Sequence, residues 1–334
     1  MPIERLPDTV DPYPGISSKA YEHPADRAAT AALHAVPMLD TVVRRLVEFS
    51  YERALRQTFL GNAVQVGERQ LPGVWSAYRG VAHILDMEPE NDVYVSSAVH
   101  WNAVTIGSKR PMIVLASDLL QRLGPGEQRA VIAHELGHVL SDHVLYTTAL
   151  NILLAAGSGL PLGLGLPVRA VRAVLLEWVR AAELSCDRAA TLAVRDPQIV
   201  CRALMVLAGG MPASELDLDA FMAQAMEYEN WEDGHDRVRR FFNELSATHA
   251  NAVRRVSEVM RWVQSGDYDR IQRGEYRRRD EETDVREDAG DAFEFYAERF
   301  RALFRELGEN VTSIGEQMST ASTQVADWLR KRGQ

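Results

Sequence analysis

The chain's 334 residues, 46% of them apolar and 25% charged, are enough to bury a sizeable core. Its 47 acidic residues outnumber 37 basic ones, a formal net charge of -10, so its surface has no electrostatic reason to hold nucleic acid or anionic lipid. The two cysteines, Cys186 and Cys201, fall in one helical-looking stretch too far apart to pair, which excludes a disulfide framework or a Cys-rich metal site and predicts a reducing, cytoplasmic compartment.

Residues 1–22 read as an irregular N-terminal extension. Glu4, Asp8, Asp11 and several prolines there leave no apolar run of the kind a signal peptide carries. The pattern over 25–78 is mainly helical, with Val42, Val43, Leu46 and Val47 set among Arg44, Arg45 and Glu48; a short strand is predicted at 63–66, before Gly67. Residues 91–117 change character. Val93-Tyr94-Val95, Ala103 to Ile106 and Met112 to Leu115 are β-rich, and Gly107 and Pro111 bracket a turn, which predicts a small sheet with a hairpin.

Ser117 or Asp118 begins a short helix that Gly124-Pro125-Gly126 stops. Glu127 then opens a long helix expected to run to about Ala156. A second long helix is expected from about Val168 to Ala208, and two or three more over 214–264. Residues 144–168 carry no charge and are long enough to cross a bilayer. Gly157, Gly159, Pro161, Gly163, Gly165 and Pro167 would break such a span, so a turn is expected there. Residues 273–291 read as a charged linker, poor in large apolar side chains, after a main domain over 23–272. The tail, 292–334, is amphipathic: Phe293, Tyr296, Phe300, Leu303 and Leu307 open a heptad-like seam with a stutter at Gly308, suited to packing on the main domain, covering a groove in it or pairing with a second copy.

The chemistry is concentrated in His134-Glu135-Leu136-Gly137-His138. On a helix, positions four apart share a face, so both imidazoles can bind one zinc, and Glu135 can reach the activated water as general base. A catalytic zinc needs a third protein ligand and an open position. Glu183, in the apolar run Ala182-Glu183-Leu184-Ser185-Cys186-Asp187, is the candidate, with Asp187 one turn on as a supporting carboxylate. Cys186 points some 100° from Asp187 and reads as a buried structural thiol.

These motifs resemble the HtpX and CAAX-prenyl-endopeptidase family of zinc metallopeptidases, gluzincins in which H-E-x-x-H is followed by Glu-x-x-x-Asp. The resemblance extends to a strand with Asn102-Ala103 before the motif helix. It extends also to Thr248-His249 followed by Arg255, with Arg254 one register away because Ala250 and Asn251 stand where prolines usually follow. It covers about 24–262, in the manner of the soluble members. It implies a predominantly helical α+β, zincin-type domain that holds one zinc per chain on His134, His138 and Glu183, with Asp187 behind. By the same resemblance, His249 and Arg255 would stabilise the oxyanion, and Asn102 and Ala103 would bind an extended peptide by strand pairing. The implied activity is endoproteolysis of unfolded or extended protein segments, in protein quality control. The rivals are a membrane-associated protease that processes membrane proteins without spanning the bilayer, and a zinc-stabilised scaffold acting through the tail. Retention of Glu135 argues against the scaffold, since a structural zinc has no use for that carboxylate.

Overall fold

The structure, a computed structural model, describes residues 10–34, 39–48, 51–97, 103–156, 165–230 and 251–281. Three helices open the chain: α1 (Pro24–His34), α2 (Leu39–Glu48) and α3 (Tyr51–Asn62). Strand β1 (Val64–Gln65) and helix α4 (Pro72–Ile84) lead to β2 (Asp92–Ser96), β3 (Ala103–Ile106) and β4 (Met112–Ala116). The remaining named elements are α5 (Ser117–Arg122), α6 (Pro125–Leu140), α7 (Val144–Ala156), α8 (Gly165–Val194), α9 (Pro197–Gly209), α10 (Leu218–Asn230), α11 (Ala252–Gln264) and α12 (Asp267–Gln272). The class is the expected one, helical α+β with a small sheet ahead of the motif helix.

The sheet runs β1-β2-β4-β3, so β3 forms one edge. β3 and β4 make the expected antiparallel hairpin, pairing Thr105 with Ile113, while β2 and β4 are parallel. Alternation sorts the two faces. Val93, Ile113 and Leu115 join the main core with α4 and α6, and Tyr94, Val104, Ile106 and Val114 form a second small cluster beneath Phe59.

Two long helices expected from the sequence are each divided. The motif helix starts at Pro125 and stops at Leu140 instead of continuing to Ala156. The chain reverses through Asp142 at φ 59°, a left-handed conformation that Asp tolerates better than most residues, and α7 begins two residues later. The second helix ends at Val194 because Arg195 takes φ 55° and Asp196 caps a new helix that opens with Pro197. Each break falls on a short polar stretch, Ser141-Asp142-His143 and Arg195-Asp196-Pro197, with apolar residues resuming beyond it.

The upper half of α8 packs with α1, α2 and α7 around Trp178, and its lower half joins the main core. No helix among the described residues is long and apolar enough to cross a membrane. The extension folds back on the body, burying Tyr13, Ile16 and Tyr21. The first residues of the stretch expected as linker are held there too: Ser17 N–H donates to the Arg277 carbonyl (3.1 Å) and Arg279 N–H to that of Gly15 (2.8 Å). The rest of that stretch and the tail lie outside the described residues.

Candidate active site

Helix α6 carries His134, Glu135 and His138, and α8 crosses it carrying Glu183, Cys186 and Asp187. Gly137 sets how closely they cross. A Cβ at that position would lie 3.0 Å from the Ala189 Cβ and 3.2 Å from the Cys186 Cα, so only glycine lets the helices approach this far. Gly137→Val is expected to push α8 away, lowering stability by about 1–3 kcal/mol and weakening metal binding; denaturant titration beside metal titration checks it.

At the crossing the ligand candidates converge. His134 Nε2 is 3.4 Å from Glu183 Oε2, and His138 Nε2 is 3.3 Å from Glu183 Oε1. A tetrahedral ion with bonds near 2.0–2.1 Å has ligand–ligand edges of about 3.3–3.4 Å. Both edges thus have the length that a small divalent cation requires, each drawn to a different oxygen of Glu183. Behind them, Asp187 Oδ1 lies 3.1 Å from His134 Nδ1.

Arg255 comes from α11 and is buried against both carboxylates. It donates to Asp187 through Nε (2.7 Å) and Nη2 (2.6 Å), and its Nη1 is 2.9 Å from Glu183 Oε2. The register is thus Arg255 facing the site, with Arg254 half-buried beside it.

The electrostatics follow from this packing. Burial disfavours a protonated His134, but Glu183 and Asp187 outweigh it and lift its pKa to about 10. Burial would likewise raise Asp187, and Arg255 and His134 instead hold it below the usual carboxylate range. Burial lowers His138. The crossing is a buried, carboxylate-rich site that favours positive charge.

Cys186 lies nearer than its spacing suggests, with its sulfur within 4.8 Å of ligand atoms of His134 and His138. Its polar contact, however, is with His143 Nδ1 at 3.7 Å, the same nitrogen that lies 3.3 Å from His138 Nδ1. Burial, reinforced by Glu183, pushes the Cys186 pKa well up.

Glu135 is buried beside β3, where the Thr105 hydroxyl donates to its Oε2 at 2.6 Å. Thr105 was not singled out from the sequence, although it shares a strand face with Ala103 two residues earlier. Ala103, His134, Glu135, Glu183, Asp187 and Arg255 line one cleft of about 220 Å³, together with apolar residues such as Val131, Leu204 and Leu207. Asn102 and His249 lie outside the described residues.

Residues 74–263, more than half of the chain, match the family model described as Peptidase family M48. The chain belongs to peptidase family M48. It is 34% identical over 261 residues to the plastoglobule-localized metallopeptidase 48, chloroplastic, of Arabidopsis thaliana, an alignment covering 77% of this chain and 76% of that protein. No solved structure matches significantly. The M48 assignment makes the chain a metalloendopeptidase, the class its motifs imply.

Proposed function

We propose that this M48 peptidase is a zinc endopeptidase that cuts unfolded or extended protein segments in quality control, with His134, His138 and Glu183 as ligands of one zinc and Glu135 as general base. The observation that carries the proposal is the convergence of both Nε2 atoms on the Glu183 carboxylate. Glu183 is favoured over Cys186 because its carboxylate faces both Nε2 atoms, whereas the polar contact of the thiol is with His143. A zinc held there supplies Lewis-acid activation of water and of the scissile carbonyl.

The chain's own residues do the rest. Glu135, oriented by Thr105, takes a proton from the attacking water and passes it to the leaving amine. The edge strand β3, beginning at Ala103, offers backbone groups to an extended peptide, with Asn102 just before it. Asp187 orients His134. Arg255 neutralises Glu183 and Asp187. The oxyanion role that the family resemblance gives to Arg255 and His249 is consistent with Arg255 lining the cleft.

Both cysteines are buried and unpaired, which supports a reducing compartment such as the cytoplasm. The name of the Arabidopsis relative places that protein at plastoglobules, which favours, as a second reading, contact with a lipid surface without spanning it. The tail's apolar seam would serve packing on the catalytic domain, covering its groove or pairing with a second copy.

Digestion of casein, an unfolded substrate, with and without chelator and alongside metal analysis, tests the proposal. Proteolysis lost on chelation and restored by zinc is expected, with one zinc per chain. Chelator-insensitive cleavage would overturn it.

A further inference from the structure

Behind His138, on the side away from Glu183, lies a buried assembly that the reaction as described does not use. His143 follows the break after α6 and is 1% exposed; Asp26, on α1, is wholly buried. His143 Nδ1 is 3.3 Å from His138 Nδ1, and His143 Nε2 is 3.1 Å from Asp26 Oδ2. The second approach is off the N–H direction, so it is an electrostatic contact more than a linear hydrogen bond.

Asp26 is itself fixed. It accepts from the Ser185 hydroxyl (2.5 Å) and the Thr30 hydroxyl (3.1 Å). Trp178 Nε1–H donates to Thr30 at 2.8 Å, and the Trp178 ring stands edge-on to His143 at 5.3 Å. A buried carboxylate held by two hydroxyls beside an imidazole is costly to assemble unless it acts on something.

We infer that His143 and Asp26 are positioning residues for the metal centre, fixing the tautomer and orientation of His138 from behind; this rests on the ligand set proposed above. A neutral imidazole that offers Nε2 to a metal carries its proton on Nδ1. The His138 Nδ1–H then faces His143 Nδ1, which accepts, so the His143 proton sits on Nε2, toward the Asp26 carboxylate. Each metal-binding imidazole is thereby backed by a buried acid. Asp187 backs His134 directly, and Asp26 backs His138 through one intervening ring. Asp26 lies upstream of residues 74–263, so this half of the support comes from a segment outside the match to the family model.

The test is the zinc dissociation constant of full-length variants, read by competition with a fluorescent chelator, together with melting of the metal-free proteins. His143→Phe keeps a ring of similar size against Trp178 but has no acceptor, and should bind zinc about 10–100-fold more weakly. His143→Gln loses the ring but keeps an acceptor, and should recover most of that loss. Asp26→Asn, nearly isosteric, should weaken binding about tenfold alone and add little on top of His143→Phe, because the two act in series. A packing role predicts the reverse order, with Phe tolerated, Gln damaging, and zinc affinity following the melting of the metal-free protein. Wild-type zinc affinity in a folded His143→Phe or Asp26→Asn protein would overturn the inference. His138→Ala is the control: if the wild type binds no zinc, or His138→Ala binds it equally, the ligand set fails instead.

Discussion

Glu135→Gln is expected to fold, bind one equivalent of zinc and lose turnover by about 10²–10⁴-fold, the range that a positioned proton acceptor contributes. Stability should be preserved because the amide oxygen can still accept from the Thr105 hydroxyl, which now donates to Glu135 Oε2 at 2.6 Å. The metal should be preserved because the convergent groups are His134, His138 and Glu183, not Glu135. The loss should therefore fall on kcat, with KM little changed, since the substrate's binding contacts remain. Steady-state cleavage of a quenched peptide beside metal analysis of the same preparation checks it. Wild-type turnover in a zinc-replete variant would remove Glu135 from the chemistry.

His138→Ala and Glu183→Ala should each lose zinc, while Cys186→Ala should keep it. Removing one of three ligands costs more than the 10–100-fold typical of outer partners, on the order of 10³-fold or beyond. The three variants discriminate the two donor sets that the helix crossing offers: both His with Glu183, or both His with Cys186. Glu183→Ala carries a second expected effect. Arg255 Nη1 would lose its 2.9 Å carboxylate partner within a buried cluster, which costs stability through an incompletely compensated charge. A metal-free Glu183→Ala protein that still melts cooperatively is thus expected to melt below the metal-free wild type. Zinc retained in Glu183→Ala and lost in Cys186→Ala would transfer the third ligand to the thiol.

What the sequence determined by itself is whatever depends on local period and local breakers. Helical repeat alone places His134 and His138 on one face with Glu135 beside them, and likewise sets Glu183 over Asp187. β-branched runs around Gly107 and Pro111 were enough to place the hairpin. Short polar interruptions of the apolar runs were weaker signals, although Asp196-Pro197, a cap followed by a first-turn proline, marks the second break locally. The reversal at Asp142 depends on a left-handed residue followed by a helix that packs into a different core, and periodicity cannot register it.

Only the tertiary structure decided which distant groups meet. Gly137 lies inside the motif, yet its use becomes clear only once Ala189 and Cys186 are seen against it. Arg255 was distinguished from Arg254 by facing Asp187 across the interface of α8 and α11. Asp26 reads in the sequence as an ordinary acid in a helix's first turn; burial against His143, Ser185 and Thr30 makes it part of the centre. The reason is physical. A ligand pair on one helix is written in 3.6-residue spacing, whereas a partner contributed by another element is specified by how whole helices pack, and that information is spread over every side chain in the interface.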